Sequence, residues 1–341
     1  MLTLPGLERL RRFRRLGSPP PPLFHLTGAQ PIRFGEGTTD AEMPASPWLL
    51  NSAGVIGGGT LAILADIAFG ASVETEIPAA TPYTTAELSL TFLRPVGAGG
   101  RLTAAGQAIH VGRSLGLSEA FLFDERERLV AHGTSRLAVM PRLDGLPALP
   151  DDLDPYVSPE HETPDPYLRR PVVGDVIPQE SWAELEGVEV LAKQLAGELP
   201  PPPIHYLTGL ALREAGGGAS VATLPATEWL ASPTGNLQGG TLAMLADFVI
   251  QAAVLSKAGA GTAVAGLDLK VNYLRPAPTD GNDLVARAEV IHSGRTLAIS
   301  RSEVVNSDGK PVALATGSSM YLPDRPAALG DVEFPSSSPD T

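Results

Sequence analysis

Gly58-Gly59-Thr60-Leu61-Ala62-Ile63-Leu64-Ala65-Asp66 occurs twice in this chain, returning as Gly239-Gly240-Thr241-Leu242-Ala243-Met244-Leu245-Ala246-Asp247. Eight of the nine positions are identical, at an offset of 181 residues. The same offset pairs Leu26-Thr27-Gly28 with Leu207-Thr208-Gly209, Trp48 with Trp229, and Arg94-Pro95 with Arg275-Pro276. One inserted residue later the offset is 182, pairing Ile109-His110 with Ile291-His292 and Gly112-Arg113 with Gly294-Arg295. The chain is a tandem duplication, and each copy is long enough to bury a core. A fold kept as two copies points to a working site between them.

Working outward from the repeat, residues 59–75 and 240–256 are apolar nearly all round. Such a segment predicts a buried helix rather than a surface one. Strand patterns follow. Leu88, Leu90 and Phe92 alternate with Glu87, Ser89 and Thr91, and Leu267, Leu269, Val271 and Tyr273 alternate with Asp268, Lys270 and Asn272. Period two with one apolar face predicts antiparallel strands against a core. Further strands are predicted over 101–111, 115–123 and 129–140, matched by 283–292, 296–305 and 311–321. The fold class is α+β: in each half one buried helix, then a meander of strands wrapped around it.

Pro19 to Pro22 precede the first core and Pro200 to Pro203 the second, each after a helix-like stretch (7–15 and 182–196). Proline runs end helices and favour extended chain. The domains expected are 1–145 with an N-terminal helix, a Pro- and Asp-rich linker over 146–180, a second domain over 181–323, and a disordered tail over 324–341.

The 341 residues are 43% hydrophobic and 18% charged, with a net charge of −13 and a mean hydropathy of +0.07. This is a globular composition, and its charge argues against a nucleic-acid partner, which needs a basic face. There are no cysteines, which excludes disulfides, thiolate zinc sites and thiol nucleophiles. Arg9, Arg11, Arg12, Arg14 and Arg15 have no apolar run behind them. Neither a signal peptide nor a membrane span is expected, and the location expected is cytoplasmic, with a short membrane-surface helix as the alternative.

An acid in the middle of an apolar helix draws attention first. Asp66 and Asp247 stand there, flanked by Ala65 and Ile67 and by Ala246 and Phe248. A buried charge needs a partner or a cavity. Such a carboxylate has a raised pKa suited to general-base work, the plain alternative being an exposed helix position. The glycines ahead of each helix, Gly58-Gly59 and Gly239-Gly240, leave the first helical N–H groups open to an anion or a developing oxyanion. Close backbone packing is the plain alternative, and no Lys follows to make a phosphate loop. Gly112-Arg113-Ser114-Leu115-Gly116 matches a serine-hydrolase elbow, but a strand follows it where an elbow needs a helix, so a hairpin turn is predicted. The six histidines (25, 110, 132, 161, 205 and 292) show no metal-ligand spacing.

Taken together, Asn51-(x)5-Gly57-Gly58-Gly59-(x)6-Asp66, the Leu-Arg-Pro that follows and the Gly-Arg pair resemble the hotdog-fold acyl-CoA thioesterases of the phenylacetate-pathway (PaaI-like) type, over about 24–140 and 205–322. Two copies in one chain resemble a double hotdog, a fused form of that family's dimer with the two sheets joined. The resemblance implies acyl-CoA hydrolysis to a carboxylic acid and CoA, with no metal or redox cofactor. It implies two sites between the halves: Asp66 with Gln238, Gly239 and Gly240, and Asp247 with Asn51, Gly58 and Gly59. Thr85, ten residues before Pro95, aligns with a hydroxyl that assists the acid in some members; its counterpart is Gly266. The family's His position holds Gly57 in one copy and Gln238 in the other, and its Asn position holds Asn51 and Ser232. The Asp66 site is therefore the stronger expectation. Arg94, Arg113, Arg275 and Arg295 are the basic candidates for CoA phosphates. Pairing of two chains into a four-hotdog assembly is expected by analogy. A hydratase on the same scaffold and a non-catalytic acyl-CoA binder remain as alternatives.

Overall fold

The computed structural model describes residues 2–16, 21–147 and 171–325. The duplicated apolar stretches form α3 (Gly58–Glu74) and α7 (Gly239–Leu255). Every residue of α3 from Gly59 to Val73 is buried, as a helix without a polar face requires. Around α3 lie β3 (Tyr83–Phe92), β4 (Arg101–Val111), β5 (Leu115–Phe123) and β6 (Leu129–Val139). Around α7 lie β9 (Thr262–Tyr273), β10 (Asp283–Ser293), β11 (Leu297–Val305) and β12 (Pro311–Pro323).

Periodicity overlooks a hairpin before each buried helix. These are β1 (Gln30–Gly35) with β2 (Thr38–Pro44), and β7 (Ala211–Gly216) with β8 (Ala219–Pro225). β1 and β7 bury no residue fully, and β2 and β8, which do alternate in burial, turn mostly small or polar residues inward (Thr39 and Ala41, Ser220 and Ala222), so the apolar signal is weak. The proline runs also do more than extend the chain. Pro22 opens α2 (Pro22–Thr27) and Pro203 opens α6 (Pro203–Thr208), each closed by a left-handed glycine, Gly28 at φ 71° and Gly209 at φ 79°. Proline at the first helical position and glycine just past the last is the favoured asymmetry. The N-terminal helix is α1 (Gly6–Leu16), and the stretch predicted over 182–196 is two helices, α4 (Gln179–Glu184) and α5 (Gly187–Leu195). Most of the predicted linker (148–170) and of the tail (326–341) lies outside the described residues.

All twelve strands form one sheet in the order β1-β2-β4-β5-β6-β3-β9-β12-β11-β10-β8-β7. The two halves meet at β3 and β9, which run antiparallel with Leu88 opposite Val271, Ser89 opposite Lys270 and Leu90 opposite Leu269. Ser89 and Lys270 are repeat equivalents, so the pseudo-two-fold axis passes through that pair. A single apolar core runs through both halves. Within it α3 and α7 lie side by side and antiparallel. A Cβ on Gly59 would stand 2.7 Å from Met244 Cα, and one on Gly240 would stand 2.5 Å from Ile63 Cα.

Candidate active site

The α3–α7 contact brings each helix N-terminus against the acid of the other helix. Asp66 is 7% exposed and Asp247 5%. Asp66 Oδ2 accepts from the Gly240 N–H at 3.2 Å, and the Gly239 N–H is directed at the same carboxylate. Asp66 Oδ1 accepts from the Thr85 hydroxyl at 2.9 Å. Gln238, also buried, donates its Nε2 to Ile63 O at 3.0 Å, while its Oε1 is buried with no hydrogen-bond partner. The Tyr273 hydroxyl donates to Gly239 O at 2.8 Å and so steadies the turn into α7. Burial raises the Asp66 carboxyl above its usual range; the Thr85 hydroxyl and the two glycine N–H groups pull it partly back.

The pseudo-equivalent place is built from other residues. Asp247 Oδ2 accepts from the Gly59 N–H at 2.7 Å and Oδ1 from Gln251 Nε2 at 3.1 Å. Burial raises this carboxyl too, opposed by Gly59 and Gln251. Asn51 Oδ1 accepts from the N–H groups of Ala53 (3.0 Å) and Val55 (3.2 Å). That leaves its Nδ2 on the far side, where it and Asp247 Oδ2 stand 3.8 and 4.0 Å from the place a Cβ on Gly57 would take. Phe92 packs over Gly58 in the way Tyr273 packs over Gly239.

Thr85 reaches Asp66 because β3 carries a bulge. Its register against β6 shifts between Thr85 and Glu87. Strict alternation from Leu88 and Leu90 would turn Thr85 away from the helix; the extra residue turns it inward, the re-aiming that bulges provide. β9 shifts likewise between Gly266 and Asp268 against β12, so Leu267, placed by alternation on the apolar face, is only half buried.

The glycine N–H groups do not stand open as the sequence reading expects. Those of Gly59 and Gly240 are donated to the facing carboxylates, and the same glycines are required by the close helix approach. Ser114 lies in the β4–β5 turn, closed by the Gly112 N–H to Leu115 O at 2.8 Å, as predicted for a hairpin. Arg94, Arg113, Arg275 and Arg295 are all exposed, and Arg94 donates to Leu129 O. Gln251 and Tyr273 are absent from the sequence reading as site residues. Gln251 was legible in principle, four residues after Asp247 and hence on the same helix face.

The model of the thioesterase superfamily matches the chain twice, over 53–131 and 234–313, one match in each half. The chain is a tandem member of the thioesterase superfamily. Thioester hydrolysis is the class of reaction that family carries. Among solved structures, a tesB protein of Mycobacterium avium subspecies paratuberculosis is 16% identical, with a TM-score of 0.54 over 89% of this chain and 98% of that one. The acyl-CoA thioesterase II TesB2 of Mycobacterium marinum is 14% identical, with a TM-score of 0.51 over 91% and 99%. A hot dog fold protein of Alicyclobacillus acidocaldarius is 15% identical, with a TM-score of 0.53 over 88% and 97%. At such identities the likeness shows the double-hotdog fold of this superfamily member. No curated protein matches it.

Proposed function

We propose that the protein hydrolyses acyl-CoA thioesters at the Asp66 site. The observation that supports this most is the buried Asp66 carboxylate, held on one oxygen by Thr85 and on the other by the N-terminus of α7, whose N-cap residue Gln238 has a buried amide oxygen that lacks a donor. A buried acceptor calls for a donor, and the O–H of an attacking water supplies one. In this reading Gln238 Oε1 and Asp66 hold that water, and Asp66 takes its proton as general base; direct attack by Asp66 to give an anhydride is the other route. The N–H groups of Gly239 and Gly240, which point at Asp66 here, are proposed as the donors to the thioester oxygen once the substrate displaces that contact. Thr85 fixes the orientation of the carboxylate. Arg94, Arg113, Arg275 and Arg295 are proposed for the CoA phosphates.

The test is free-thiol release from short, medium, long and aromatic acyl-CoAs. Asp66→Asn is expected to lower kcat at this site by about 100-fold or more, since loss of a general base costs on the order of 10² to 10⁴. Wild-type protein that binds acyl-CoA and releases no thiol would favour a pure binder; hydration of an enoyl-CoA would favour the hydratase.

The same reading includes pairing of two chains. Ile109, Leu115 and Phe121 in one half and Ile291, Leu297 and Ile299 in the other are large apolar side chains exposed on the strands. Repeated apolar exposure of this kind marks an association surface. Sedimentation should give twice the chain mass, and Ile109→Lys with Ile291→Lys should shift it toward the monomer.

A further inference from the structure

We infer that the Asp247 side of the helix pair is a second working site, in which Gln251 takes the positioning part that Thr85 takes beside Asp66. This rests on the hydrolase reading above and extends it to a place where the sequence shows a missing hydroxyl.

The two copies differ by a reciprocal exchange. The first has Gly70 on the helix and Thr85 on the strand; at the same repeat positions the second has Gln251 on the helix and Gly266 on the strand. The structure shows why these changes come as a pair. A Cβ on Gly266 would stand 2.9 Å from Gln251 Nε2, so the glutamine occupies the space into which a side chain at 266 would project. From there Gln251 reaches the same oxygen by the opposite route. Thr85 donates from the sheet to Asp66 Oδ1 at 2.9 Å, and Gln251 donates from the helix to Asp247 Oδ1 at 3.1 Å. Ser319 Oγ, 3.4 Å from Gln251 Oε1, donates to that oxygen and leaves Nε2 for the carboxylate. Each acid therefore has a side-chain donor on Oδ1 and a glycine N–H on Oδ2, and Asp66 has the Gly239 N–H besides.

A second exchange runs parallel to the first. The Asp66 site has Gln238 with Ser232, and the Asp247 site has Gly57 with Asn51, so each keeps one carboxamide at the mouth of the facing helix. Asn51 presents its Nδ2 there because its Oδ1 is held by its own loop. In the first exchange a donor has moved to another element and returned to the same carboxylate oxygen; in the second a carboxamide has moved to a loop, where it presents Nδ2 instead of the Oε1 that Gln238 leaves free. An idle site is free to lose its buried acid altogether; this one keeps the carboxylate with a donor on each oxygen.

The experiment uses the full chain with Asp66→Asn, which silences the first site, and measures thiol release against pH over the acyl-CoA panel. Residual turnover should remain above that of the Asp66→Asn/Asp247→Asn double variant. Adding Gln251→Ala should lower it on the order of tenfold, the effect of one hydrogen bond to a charged group. It should also move the acid limb to higher pH, because a carboxylate that loses a donor holds its proton more tightly. A purely structural glutamine would not move that limb. Gln251→Gly with Gly266→Thr, which rebuilds the first site's arrangement, should restore both rate and limb; Gly266→Thr alone should not, because it meets Gln251. An Asp66→Asn protein no faster than the double variant overturns the inference while leaving the hydrolase reading intact, as does a Gln251→Ala protein with unchanged rate and acid limb. Inert wild type overturns the hydrolase reading itself, and this inference with it.

Discussion

Asp66 and Asp247 set the terms at the scale of single residues. Both carboxyls are raised by burial above the ordinary aspartate value of 3.8. The native state therefore holds these protons more tightly than the unfolded chain. Between 3.8 and the native pKa, stability falls as pH rises, and above the native pKa the whole penalty is present. Asparagine has no proton to lose; its Oδ1 can accept from the Gly240 N–H, and its Nδ2 can then donate to the Thr85 hydroxyl, which serves as acceptor. Asp66→Asn is thus expected to raise Tm at pH 7 while lowering turnover, with the gain disappearing as pH falls to 3.8. Thermal melts of wild type and variant across pH check this, and parallel curves would sink the claim. A stabilising change that removes activity is the usual sign of a strained working group.

Two helix contacts carry predictions at the scale of elements. At the α3–α7 crossing, a Cβ on Gly240 would stand 2.5 Å from both Ala62 O and Ile63 Cα, where no flexible side chain can yield. Gly240→Ala should destabilise by about 3 kcal/mol, the upper part of the usual range for overpacking, measured by urea unfolding. The other contact joins α1 to the far end of α3. Arg9 Nε donates to Glu74 Oε1 at 2.5 Å and the Tyr83 hydroxyl donates to Glu74 Oε2 at 2.6 Å, with the Arg9 and Glu74 side chains 9% and 13% exposed. Burial first, and then Glu74, hold the Tyr83 hydroxyl well above its usual pKa. Arg9→Met leaves Glu74 buried without its counter-charge and should cost about 3 kcal/mol or more; adding Glu74→Gln should recover most of that loss, because the pair's own net worth is small. A double-mutant cycle in urea measures both effects.

The joint between β3 and β9 governs the whole molecule. Each candidate site takes its acid from one half and its helix N-terminus from the other, so neither half contains the arrangement by itself. One sheet and one core cross the joint. Heat should therefore unfold the described body in a single transition, with calorimetric and van't Hoff enthalpies in agreement. Two separate transitions in scanning calorimetry would contradict that picture. No helix among the described residues is long and apolar enough to cross a membrane.

The sequence by itself determined the duplication, the two buried helices and eight of the twelve strands, whereas the grouping of Asp66 with residues of the other half came from the family resemblance. The former are legible because apolar periodicity and repeated residue types are local, and a copy at a fixed offset doubles every signal. Tertiary structure alone decided three things. The bulges that turn Thr85 and Gly266 inward depend on the register against β6 and β12, which a single strand's alternation does not contain. Gln251 faces Asp247 because Gly266 leaves it room, a relation between residues on two elements. The glycine N–H groups meet carboxylates rather than open space because the helices approach closely enough to bring each N-terminus onto the other's acid, and that distance is set by packing.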